Sequence, residues 1–294
     1  MVVLRSILQL SVLIQMVTAL QLPISTADNL TSAEVHPDLE KLLVVDHVPK
    51  CGGTFVINLA IAAVDSLSPE SLRVVSESAQ LTTTDVGNNN FVVGVVRNPF
   101  DYYISIWGYR AYRDRLPKED YDAIVPLGSP AGSDPEDPAR FAKFIEFFSD
   151  KDLGLLSFLF YFSYLDFSEV VPQLNWNYKG TVSDAFVDSG EQTSALKAQI
   201  QASLKSYSVE SGPVDCWVHT ESATDDAYAC FHQFADLGGL VNFTAFDAEI
   251  NAEHTNSGNH VGCSDLYTPE LLDFVRSSDS ELFRAFGYPL ECST

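Results

Sequence analysis

Residues 42–64, LLVVDHVPKCGGTFVINLAIAAV, decide how the rest of the chain is read. An apolar, β-branched run at 42–45 precedes Asp46-His47-Val48-Pro49, and Lys50-Cys51-Gly52-Gly53-Thr54 leads into an apolar segment long enough for a helix. This order predicts strand, tight loop and helix, the helix starting near Thr54 and ending around Ala63. Gly52 and Gly53 let the backbone turn and approach a ligand closely, and the first helical turn aims unpaired N–H groups at it. Lys50 adds a mobile positive charge, so an anion is the expected guest. A Walker A loop carries its lysine after the last glycine, whereas Lys50 precedes Gly52 and Gly53, which weakens a nucleotide triphosphatase reading.

Working outward, residues 72–75 (LRVV) read as a second strand, followed by a polar stretch at 76–90. Residues 91–96 (FVVGVV) form an almost continuous apolar run, which suits a strand buried on both faces of a parallel sheet. Asn98-Pro99-Phe100-Asp101 then supplies a cap, a proline at the first helical position and an early acid, predicting a helix from Pro99 through about Arg110. Arg97 would sit at the carboxyl end of a strand and Ser105 two turns into the helix, where ligands of open α/β sheets gather. A guanidinium fork and a hydroxyl can together satisfy several phosphate oxygens.

The stretch HVPKCGGT closely resembles the phosphosulfate loop of the carbohydrate-type sulfotransferases, Golgi enzymes and their relatives that use 3′-phosphoadenosine 5′-phosphosulfate (PAPS). RNPFDYYIS resembles the second motif of the same family, in which the arginine and serine, here Arg97 and Ser105, hold the 3′-phosphate. A carboxy-terminal likeness is carried by NAEHTNSGNH at 251–260, whose Asn256 and Ser257 would join the cofactor loop, and by a closing helix running from YTPEL at 267–271 to LFRAFGY at 282–288. The likeness spans, with gaps, residues 41–288. It implies a P-loop-like three-layer α/β/α fold with a central, mainly parallel sheet. It also implies a sulfotransferase that moves a sulfuryl group from PAPS to a hydroxyl, or less readily an amine, of a carbohydrate or small metabolite, with no metal expected. Lys50 would stabilise charge on the leaving oxygen, and the backbone of Cys51, Gly52, Gly53, Thr54 and Phe55 would hold the 5′-phosphate. One departure is Val218-His219-Thr220-Glu221, where the family usually shows Arg-x-Glu, so the ligand role of this segment stays open.

The proton acceptor is less plain. Relatives often place a histidine after the second strand; here Ser76-Glu77-Ser78-Ala79-Gln80 has none, and Glu77 is the nearest substitute. A carboxylate with a reference pKa near 4.3 works as a base best when partial burial raises that value. His47 competes but is expected to serve a structural hydrogen bond, and Asp46 and His254 are further alternatives. Two other classes of function remain: a nucleotide-dependent kinase with an atypical phosphate loop, and a non-catalytic secreted binding protein.

Residues 1–19 read as a secretory signal, with Arg5 near the start and Val17-Thr18-Ala19 at the exit; the alternative is a short Golgi anchor, which alone would bring the chain to a membrane. Residues 20–40 read as a linker and 41–294 as the sulfotransferase domain. Secretory-pathway entry, to the Golgi lumen or outside, gives meaning to the sequons at Asn29 and Asn242 and to the cysteines. Cys51 lies inside the loop, where a bridge would distort the turn, so Cys216, Cys230, Cys263 and Cys292 are the expected disulfide partners in an unspecified pairing. With 17 Lys and Arg against 40 Asp and Glu, a formal charge of -23 argues against nucleic acid and favours a neutral or small acceptor over a polyanion. The aromatic-rich segment at 153–167 is expected to be a core helix rather than a sugar-stacking surface.

Overall fold

A computed structural model describes residues 41–75, 80–87, 89–108, 138–149, 151–166, 190–252 and 262–292. Glu77, Asn256, Ser257 and His254 lie outside them, as do Asn29, the amino-terminal segment and the linker.

Four short strands carry the apolar runs of the sequence: β1 (Leu43–Asp46), β2 (Leu72–Val75), β3 (Phe91–Val96) and β4 (Cys216–His219). They form one parallel sheet in the order β2-β1-β3-β4, with Val44 opposite both Arg73 and Val92, and Gly94 opposite Trp217. Every residue of β1 and β3 is buried, as continuous Val-rich runs require when both sheet faces are covered. Edge strand β2 instead leaves Arg73 and Val74 exposed. The arrangement is an α/β fold built on a parallel sheet with helices around it.

After β1 comes α1 (Gly53–Ala60), which continues as a π-helical turn (Ile61–Asp65) rather than stopping near Ala63. Helix α2 (Pro99–Gly108) follows β3, with the Asn98 Oδ1 accepting the Phe100 N–H at 2.9 Å as the sequence leads one to expect of a cap. Next come α3 (Pro138–Phe148), α4 (Leu155–Tyr164) and α5 (Gly190–Ser206). The aromatics of α4 are core residues: Phe158, Phe160, Tyr161, Phe162 and Tyr164 are all buried, and Phe160 stacks on Trp217 with ring centroids 5.6 Å apart. Helices α6 (Ala223–Asp236), α7 (Phe243–Ile250), α8 (Cys263–Leu266), α9 (Pro269–Ser278) and α10 (Ser280–Phe286) complete the described chain.

The expected single closing helix is therefore two, broken at Asp279. The cause is tertiary. Asp279 is fully buried, and its carboxylate accepts the Tyr103 O–H at 2.8 Å and the Ser157 N–H at 2.9 Å. It thereby serves as the amino-terminal cap that Gly154, with no side chain, cannot provide for α4. Two disulfides, Cys216–Cys230 and Cys263–Cys292, settle the pairing and leave Cys51 free. They indicate an oxidising, secreted or lumenal environment. Among the described residues no helix is long and apolar enough to cross a membrane.

Candidate anion site at the switch point of the sheet

From β1 the chain moves to β2 on one side of the sheet, then crosses back to β3 on the other, so the carboxyl ends of β1 and β3 flank a topological switch point. Crevices at such points are where open α/β sheets bind ligands. The register shows how this one opens. Pairing between β1 and β3 ends at Val45 and Val93, and a straight continuation would bring His47 beside Val95. Instead the chain turns away at Asp46. The gap is filled by Tyr164 of α4, whose hydroxyl accepts the Val95 N–H at 2.9 Å and donates to the Val95 carbonyl at 3.1 Å. Those backbone groups have lost their strand partner, and buried backbone groups require one.

Asp46 lies beside this wedge with 1% of its surface exposed, and neither carboxyl oxygen has a hydrogen bond of good geometry. The Tyr164 hydroxyl is within electrostatic reach, but its one proton goes to Val95. Burial pushes the Asp46 carboxyl up to about 8, with the Asp85 carboxylate adding to the rise, so at neutral pH it is held largely as the acid.

The loop that follows is held in an uncommon backbone shape. Lys50 has φ 64° and Gly52 has φ 81°, both left-handed; for glycine this is free, but for lysine it costs roughly 1–3 kcal/mol. Neighbours fix it. Arg97 Nη1 donates to the Lys50 carbonyl at 3.1 Å, and the Cys51 N–H donates to the Val48 carbonyl at 3.2 Å. Gly53 begins α1 against the His47 imidazole, where an added Cβ would lie 2.0 Å from Cδ2, so only glycine fits. His47 is thus packed as a wall of the loop.

Helix α1 has no side-chain cap, and the N–H groups of Gly53 and Thr54 bond no acceptor among the described residues. The Phe55 N–H already donates to the Gly52 carbonyl at 3.0 Å, and that of Cys51 to Val48. The amides available to an anion are therefore fewer than the sequence suggested: Gly52, Gly53 and Thr54, without Cys51 and Phe55. The Cys51 thiol is buried, and burial pushes its pKa well up, which makes it inert as a nucleophile.

Arg97 stands at the end of β3, half-buried, with its Nε in the interior and without a hydrogen bond. A guanidinium N–H in that condition is a donor that an anion can satisfy. Ser105 lies within α2 with 3% of its surface exposed, and no hydrogen bond joins it to Arg97 among the described residues. The structure thus brings Lys50, Gly52, Gly53, Thr54 and Arg97 together and places Ser105 in the wall of α2.

The carboxyl end of β4 also reaches the loop. Thr220 Oγ1 donates to the Val96 carbonyl at 3.1 Å and would be 3.4 Å from a Cβ added at Gly52. Glu221 Oε1 accepts the Asn98 N–H at 2.8 Å, and the Tyr288 hydroxyl approaches its Oε2 at 3.5 Å. His219 is held elsewhere: its Nδ1 and backbone N–H both engage Asp226, at 2.7 and 2.9 Å. Sequence reasoning left this segment open and missed Tyr164. Polar residues at a strand's carboxyl end were a usable signal for Thr220 and Glu221; Tyr164 had none. No group of three His, Cys, Asp or Glu among the described residues is placed to hold a metal. Comparison with family models, curated proteins and solved structures returned no match for this chain.

Proposed function

We propose that the chain is a sulfotransferase of P-loop-like three-layer α/β/α architecture, which moves a sulfuryl group from PAPS to a hydroxyl, or less readily an amine, of a carbohydrate or small metabolite. The observation that carries this reading is the junction of Lys50 and Arg97: the guanidinium fixes the lysine's strained backbone through Nη1 while its buried Nε is left unpaired. Two basic residues and the open amides at the start of α1 would together make a cradle suited to a ligand with more than one anionic group.

When bound, PAPS would supply a sulfuryl group activated by its bond to phosphate. The chain's own work is to bind and orient. The amides of Gly52, Gly53 and Thr54 would hold the 5′-phosphate, with the Thr54 hydroxyl as a further donor. Arg97 and Ser105 would read the 3′-phosphate, and Lys50 would stabilise negative charge on the leaving oxygen. Glu77 is the proposed base for the acceptor proton, and Asn256 and Ser257 are proposed to join the cofactor side. The net charge of -23 favours an acceptor that is not itself a polyanion. The disulfides accord with a site of action in the Golgi lumen or outside the cell.

The test is ligand-induced thermal stabilisation, because a ligand that binds only the native state raises its apparent stability. Adenosine 3′,5′-bisphosphate should raise the melting temperature more than adenosine 5′-monophosphate, and Arg97→Ala should abolish the difference. Stabilisation by ATP with Mg²⁺ alone would instead favour a kinase. Stabilisation by the bisphosphate without transfer from labelled PAPS to any acceptor in a broad screen would favour a binding protein.

A further inference from the structure

The sequon Asn242-Phe243-Thr244 takes no part in the anion site, yet the fold gives it a defined setting. Asn242 caps α7: its Oδ1 accepts the Ala245 N–H at 3.1 Å, and its backbone N–H donates to the Ala63 carbonyl at 2.8 Å. That carbonyl belongs to the π-helical turn Ile61–Asp65. The cap uses only the oxygen of the side-chain amide. Nδ2 bonds no described residue, Asn242 is only partly buried, and Thr244 is exposed. Phe243, between them, is pinned by stacking on His232, ring centroids 4.2 Å apart and planes 17° apart.

N-glycosylation of Asn-x-Thr substitutes Nδ2 and leaves Oδ1 in place. The two disulfides supply the second requirement, since a chain that forms them has entered an oxidising compartment. We propose that Asn242 carries an N-linked oligosaccharide and that its helix cap survives the attachment. In the step, Nδ2 gains a bond to the anomeric carbon of the sugar and gives up one proton. The bond from that carbon to the pyrophosphate of a lipid-linked oligosaccharide donor breaks, the lipid pyrophosphate leaves with the electron pair, and nothing is oxidised or reduced.

The fold also says where the sugar stands. Ala63, to which Asn242 is tied, follows Gly53 by ten residues of continuous helix, a separation of about 15 Å along the axis at 1.5 Å per residue. The oligosaccharide would therefore stand at the far end of α1 from the anion loop and leave the crevice between β1 and β3 open. None of this depends on the sulfotransferase reading.

The experiment is peptide mapping of the full chain made in a secretory eukaryotic host, before and after an amidase that releases N-glycans and converts the carrier Asn to Asp. The peptide holding Asn242 should show this conversion in wild type and Thr244→Ser but not in Thr244→Val, whether the chain is secreted or retained in the cell. Asn29, on a different peptide, is read separately. Recovery of unmodified Asn242 from chains whose disulfides have formed overturns the proposal, as does conversion that persists in Thr244→Val. For the cap, Asn242→Asp keeps an acceptor and Asn242→Ala does not, so the alanine variant should melt lower by about 2–4 °C. Equal melting of the two unglycosylated variants would show that the cap contributes nothing.

Discussion

Tyr164→Phe removes one oxygen from the molecule and, on the geometry above, unpairs the middle of the sheet. The hydroxyl is the partner of both the Val95 N–H, at 2.9 Å, and the Val95 carbonyl, at 3.1 Å, in the gap where β1 leaves β3. The phenylalanine ring keeps the packing of Tyr164 on Trp217, whose centroids are 4.7 Å apart, so lost burial contributes little. What remains is the cost of a buried donor and acceptor with nothing to bond. At about 1–3 kcal/mol for each unsatisfied group, and with the carbonyl the more forgiving of the two, the variant should lose roughly 2–4 kcal/mol. A loss of that size is a large fraction of the stability of an ordinary domain. Urea unfolding followed by fluorescence measures it directly, the midpoint falling while the slope is unchanged. The crevice should suffer as well, with weaker stabilisation by adenosine 3′,5′-bisphosphate once the stability difference is allowed for. A loss below about 0.5 kcal/mol with an unaltered slope would refute the wedge.

Other consequences can be checked in the same way. Because the Asp46 carboxyl sits at about 8 in the fold against an ordinary 3.8, the native state holds more protons than the unfolded chain between those values. Its contribution to stability is therefore full below about pH 4 and lost as pH rises through 8; Asp46→Asn should flatten that decline, and an equally steep decline in the variant would sink the assignment. Glu221→Ala should reduce the preference for adenosine 3′,5′-bisphosphate over the 5′-monophosphate by roughly tenfold, by releasing the Asn98 amide beside Arg97. Glu221→Gln, which keeps an acceptor oxygen, should restore most of the preference; if alanine and glutamine variants behave alike, the hydrogen bond is not what positions Arg97. Asp279→Ala strips the acceptor from the Tyr103 hydroxyl and the Ser157 amide and should cost about 2–5 kcal/mol in urea unfolding, whereas a loss under 1 kcal/mol would mean that Ser149, 2.9 Å from the same hydroxyl, suffices.

Local chemistry was legible from residues alone. The runs at 72–75 and 91–96 are strands with those bounds, because short segments rich in valine favour extended backbone, whether buried on both faces as in 91–96 or at a sheet edge as in 72–75, where Arg73 is exposed. The loop before α1 is equally local, since glycine takes the left-handed φ of Gly52 without strain and fits at Gly53, where His47 leaves no room for a Cβ. Cys51 was excluded from disulfide bonding by its place in that loop, and it is free. Contacts between residues far apart in the chain were out of reach. Nothing near Tyr164 says that its hydroxyl repairs a strand 69 residues away, nor does the run from 267 to 288 reveal that Asp279 will leave its helix to cap another. The pairing of the four cysteines, the capture of His219 by Asp226, and the arrival of Thr220 beside Gly52 were decided by folding as well. The division has one physical cause. Propensity, turn geometry and periodicity act over a few neighbouring residues and are written in their order, whereas a buried polar group must find its partner in space, and only the packed chain determines which one it meets.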